Sequence, residues 1–169
     1  MPKHDLITEP ELGHIDPDLP VFLELSSRLT GVSQDILEQT GMLDTYYCML
    51  MKEEDQDAIR GFFQKVREVL KGGDVHARIK AAFIDYPGAH PGAPFDQMPY
   101  EGMAQRIILM WYTGIWTTMN HKDELSQQAR TAMVSAVAYK EGLIWTTAET
   151  HPAGAKQPGY GSWSDKPIG

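Results

Sequence analysis

Ile59-Arg60-Gly61-Phe62-Phe63-Gln64-Lys65-Val66-Arg67-Glu68-Val69-Leu70 decides how this chain folds. Ile59, Phe62, Phe63, Val66 and Leu70 recur at steps of three and four, which places them on one stripe of an α-helix. Charged residues fill the other faces. The reading extends this helix back to Lys52, and Gly72-Gly73 ends it. Its stripe needs other apolar faces to cover it, and the neighbouring segments supply them.

Upstream, Leu19 to Thr30 repeats the pattern with Phe22, Leu25 and Leu29, and Gly31 stands where a C-cap belongs. Ser33 is an expected N-cap for a second helix, with Asp35 near its positive end and Ile36, Leu37, Met42 and Leu43 expected to face inward. Downstream, a short helix is expected over Asp74 to Phe83. Four prolines between positions 87 and 99 forbid a regular helix there and mark a surface loop. Tyr100 to Thr118 is the most hydrophobic stretch. Its centre, Ile107 to Trp116, is apolar on nearly every face, the mark of a buried helix. A last helix is expected over Asp123 to Glu141, ended by Gly142, with Leu143 to Thr147 as a short extended piece. Five helical periodicities and no sustained alternation predict an all-α fold. The expected organisation is a compact helical domain over 19–146, an extended N-terminal arm over 1–18, and an extended Pro/Gly/aromatic tail over 147–169.

Composition narrows the function. The chain has 169 residues, 42% hydrophobic and 22% charged, with a net charge of −8. That is an ordinary globular composition, and the acidic balance argues against nucleic-acid partners. No apolar run is long enough to span a bilayer. The N-terminus carries neither an apolar signal core nor a twin-arginine pair. The expected compartment is therefore the cytoplasm as written, or the periplasm where a leader has been removed.

Chemistry-bearing motifs are sparse. The six histidines, His4, His14, His76, His90, His121 and His151, form no metal-ligand spacing. The single cysteine, Cys48, excludes an intrachain disulfide. It is expected to be a small buried hydrophobe, although Lys52 one helical turn on is the kind of neighbour a reactive thiol requires. The glycines form no nucleotide fingerprint. No cofactor is expected in this chain. The tail is different: it is poor in charge yet carries Tyr160 and Trp163, whereas a solvated disordered tail is charged and poor in aromatics.

Three stretches, in order, carry a family resemblance: Phe22-Leu23-Glu24-Leu25-Ser26-Ser27-Arg28-Leu29-Thr30-Gly31, then Ile108-Leu109-Met110-Trp111-Tyr112-Thr113-Gly114-Ile115, then Gly161-Ser162-Trp163-Ser164-Asp165-Lys166-Pro167-Ile168. Together they span most of the chain. The sequence resembles the small subunit of membrane-linked, FAD-dependent sugar and polyol dehydrogenases, the group that includes the sorbitol, fructose and glucose dehydrogenase small subunits. The resemblance implies a helical, non-catalytic subunit that stabilises a larger glucose–methanol–choline-type flavoprotein and, in the family, helps its export. The partner would hold FAD, the sugar site and often an iron–sulfur cluster, and a cytochrome c subunit is a further partner the resemblance suggests. Docking residues would be Trp111, Tyr112, His151, Pro152, Tyr160, Trp163 and Pro167. Some members carry a cysteine, bonded to the large subunit near the cluster, at the position His151 occupies here. A covalent link is therefore not expected, and His151 would approach the partner's redox centre. The reading from the residues alone keeps an alternative: a stand-alone small helical enzyme using Cys48 or a histidine as nucleophile or base.

Overall fold

A computed structural model describes residues 16–85, 99–118, 130–150 and 152. These residues form eight helices and one two-stranded sheet: α1 Leu19–Thr30, α2 Gln34–Gln39, α3 Leu43–Glu53, α4 Gln56–Leu70, α5 Val75–Phe83, α6 Pro99–Thr113, β1 Ile115–Thr118, β2 Arg130–Met133, α7 Ala136–Glu141 and α8 Leu143–Thr147. The fold is mostly helical, as the periodicity predicts. No helix among the described residues is long and apolar enough to cross a membrane.

Of the α4 stripe, Ile59, Phe62, Phe63 and Val66 are buried as read and Leu70 is partly buried at the edge of the core, while Val69, which is not part of the stripe, is buried as well. Phe62 meets Phe83 of α5 at 5.7 Å between ring centroids. Across the core, Phe22 of α1 faces Tyr47 at 5.7 Å, and Tyr46 of α3 meets Trp111 of α6 edge to face at 4.8 Å. Such aromatic pairs contribute about 0.5–1.5 kcal/mol beyond the area they bury. α6 reaches α1, α4, α5 and α8 as well, so it is the common packing partner of both ends of the chain.

The helix ends follow local chemistry. Gly31 takes a left-handed conformation (φ 73°) and its N–H donates to Ser27 O, closing α1. Asp55 caps α4, its Oδ1 accepting from the N–H groups of Asp57 and Ala58 at 3.0 and 3.2 Å. Asp74 caps α5 by accepting from Ala77 N–H at 3.1 Å. Ser33 occupies the N-cap of α2 with extended backbone, but its side chain makes no capping hydrogen bond.

Several expectations are corrected. The helix expected from Lys52 is two helices, because Glu54 and Asp55 are extended and Asp55 starts a new one. The apolar helix stops at Thr113, not Thr118: Gly114 adopts φ +70° and the chain leaves as β1. β1 pairs antiparallel with β2, with Trp116 opposite Ala132 and Thr117 opposite Thr131. Of the helix expected over Asp123 to Glu141, residues 130–133 are therefore strand and Ala136–Glu141 is α7, while 123–129 lie outside the described residues. Leu143–Thr147 is a helical turn, not an extended piece. Ile36, expected inside, is 51% exposed, while Leu37 beside it is fully buried. Cys48, expected to be buried, is exposed.

Candidate functional site

The first two elements of the resemblance meet in space. Tyr112 Oη–H donates to the carbonyl oxygen of Thr30 at 3.1 Å, joining residues 82 apart in sequence. Thr30 is the last residue of α1, so its carbonyl is one that α1 leaves unpaired, and the phenol satisfies it. Thr30 also turns its own hydroxyl back to Ser26 O at 2.8 Å. Gly31 then redirects the chain, and Val32 O accepts from Ser27 Oγ at 2.7 Å.

On the α6 side, Gly114 is required twice over. Its φ of +70° is strained for any L side chain, and a Cβ there would lie 2.5 Å from the backbone carbon of Ala138. α7 thus packs directly on the backbone of Gly114, and Gly114 O accepts from Val134 N–H at 2.8 Å. Gly142 makes the matching approach: a Cβ there would stand 2.7 Å from Tyr112 O. Trp145 of α8 donates its indole N–H to Tyr139 O at 2.6 Å and packs on that ring at 5.1 Å. The α7–α8 corner, from which the chain runs on to the buried Pro152, is therefore seated on Tyr112 and Gly114.

The expected docking residues separate into three groups. Trp111 is 1% exposed and packs edge to face on Tyr46 in the core of its own chain. Tyr112 is half-buried and committed to Thr30, and Pro152 is buried. His151, Tyr160, Trp163 and Pro167 lie outside the described residues, as does most of the segment 147–169 read as a tail.

Sequence reading missed a buried ion pair. Glu54, at the break between α3 and α4, and Arg106 of α6 form a bidentate salt bridge with side chains 4% and 7% exposed. Arg106 also donates to Gly102 O and Thr117 O, both at 3.1 Å, and its guanidinium lies over the Trp116 ring at 5.0 Å. The pair ties the α3–α4 break, α6 and β1 together. The sequence places Glu54 only within the helix expected from Lys52, and nothing local says that its carboxylate turns inward.

Cys48 lies on the outer face of α3, in an open groove of about 390 Å³ lined by Asp44, Thr45, Cys48, Met49, Lys52 and Val134. No histidine among the described residues lines it. Among the described residues no group of three or more His, Cys, Asp or Glu side chains could hold a metal ion. Two tyrosines of α3 point the other way. Burial holds the Tyr46 phenol well above its usual range, with the Glu141 carboxylate adding to the shift, and burial does the same for Tyr47, reinforced by Asp16. Both therefore remain neutral phenols at physiological pH. No family model, curated protein or solved structure matches this chain.

Proposed function

We propose that this chain is the non-catalytic small subunit of an FAD-dependent sugar or polyol dehydrogenase, and that it stabilises a larger glucose–methanol–choline-type flavoprotein. One observation carries the reading: the three elements at 22–31, 108–115 and 161–168 stand in family order, and the first two share the Tyr112–Thr30 hydrogen bond. The chemistry belongs to the partner, which takes a hydride from a sugar carbon onto FAD. This chain supplies a rigid helical body and, beyond Pro152, a charge-poor segment whose Tyr160 and Trp163 are the side chains suited to dock. The α7–α8 corner precedes that segment in the chain. Its seat on Tyr112 and Gly114 gives the second element a mechanical role.

The test is purification of the tagged chain from its native source. The expected result is a larger polypeptide in stoichiometric amount, a flavin absorbance band and sugar-dependent dye reduction. An obligate interface should bury more than about 2,000 Å² in total. Recovery of the chain alone, or an activity that persists in the isolated chain, would overturn the reading.

A further inference from the structure

We propose that the outer face of α3 is a self-complementary docking surface for a second copy of this chain, helix against antiparallel helix, with Cys48 at the two-fold axis. The proposal does not rest on the dehydrogenase reading. It rests on charge placement. Asp44, Cys48 and Lys52 are exposed at i, i+4 and i+8 on one face of α3 and line one groove. Asp44 and Lys52 each stand about 6 Å along the helix axis from Cys48, at 1.5 Å per residue. A two-fold rotation through Cys48 reverses α3 and lays each Asp44 against the Lys52 of the other copy. Two identical acid–base contacts result, which is the definition of an isologous interface.

Both charges are available for this. Asp44 makes no ion pair among the described residues, and there the Lys52 ammonium, 79% exposed, meets its neighbour Glu53 at 3.8 Å. An exposed contact of that kind is worth little and is readily exchanged. The groove floor between the charges comes from Thr45, Cys48, Met49 and Val134, so the centre of the contact is apolar and its ends are charged, the anatomy of a protein interface. Antiparallel pairing also opposes the two helix dipoles.

The experiment is sedimentation equilibrium of the full chain under reducing conditions, with circular dichroism to verify the helix content of each variant. Wild type should reversibly dimerise, more weakly as ionic strength rises. Asp44→Lys and Lys52→Asp each set like charges against each other twice and should each raise the dimer Kd by at least about tenfold. Asp44→Lys/Lys52→Asp together exchange the charges and should return the Kd to within roughly threefold of wild type. A short bismaleimide should link two chains through Cys48 in wild type and in the exchanged double variant, but not in either single variant. A wild type that stays monomeric, a dimer indifferent to the single reversals, or a double variant as weak as the singles would overturn the proposal. A dimer that survives every variant would place the contact on another face.

Discussion

Replacing Arg106 with Met removes the guanidinium and leaves Glu54 behind, 4% exposed, with both carboxylate oxygens stripped of their donors. The same change releases Gly102 O and Thr117 O and vacates the face of Trp116. Removing one partner of a buried pair costs about 3–5 kcal/mol, because the surviving charge is uncompensated. Total stability for a domain is only about 5–15 kcal/mol. At roughly 2–4 °C per kcal/mol for a chain of this size, the melting temperature should fall by about 6–20 °C. Glu54→Leu should cost a comparable amount. The double variant Glu54→Leu/Arg106→Met removes both charges and should recover most of the loss, because a buried pair is often no better than apolar side chains of similar volume. Urea unfolding of the wild type, both singles and the double gives the coupling energy directly. A single Arg106→Met cost below about 1 kcal/mol, the range of exposed pairs, would refute the claim that this bridge is a buried tie between α3, α6 and β1.

Gly114→Ala should destabilise by about 2 kcal/mol or more, from the left-handed backbone and the overlap with Ala138; thermal denaturation checks it. Tyr112→Phe should cost about 1 kcal/mol by leaving Thr30 O unpaired, again read by denaturation. Stability should fall as pH rises past about 10, where the unfolded Tyr46 ionises but the buried phenol does not. The unfolded state then binds fewer protons, and the slope approaches about 1.4 kcal/mol per pH unit. Tyr46→Phe should move that alkaline transition upward, followed by phenolate absorbance and circular dichroism together. Trp163→Ala should weaken binding to a flavoprotein partner by roughly thirtyfold or more, as expected for an aromatic hot spot of about 2 kcal/mol; a binding titration measures it.

The helices were legible where burial depends on period alone. Phe22, Leu25, Phe62, Phe63 and Val66 show their stripe in any window, and the structure buries all five. Elements were misread where backbone geometry overrides hydrophobicity. Ile115 and Trp116 continue the apolar run of α6, so periodicity has no reason to stop, and only the positive φ of Gly114 turns them into a strand. β2 is four residues long and three of them are exposed, too short and too open to show alternation. At the candidate site, Tyr112 was legible as significant but not as a ligand of Thr30, since a contact over 82 residues leaves no local trace. The Glu54–Arg106 pair was invisible for the same reason. The exposure of Cys48 follows from Tyr46, Tyr47 and Leu50 claiming the inner face of α3, a competition that larger apolar side chains win over a thiol.

The Tyr112–Thr30 contact has a consequence for the order of events during synthesis. α1 emerges first, and its buried face can find α2, α3, α4 and α5 as each follows. The carbonyl at its end cannot meet its phenol until the polypeptide has grown by a further 82 residues. At about 5–20 residues per second, that interval is roughly 4–16 seconds. Throughout it, α1 lacks the cover that α6 supplies, on a nascent chain that is still tethered. A growing subunit with an unfinished apolar face is a target for chaperones, and pausing the ribosome before residue 112 should lengthen its association with them.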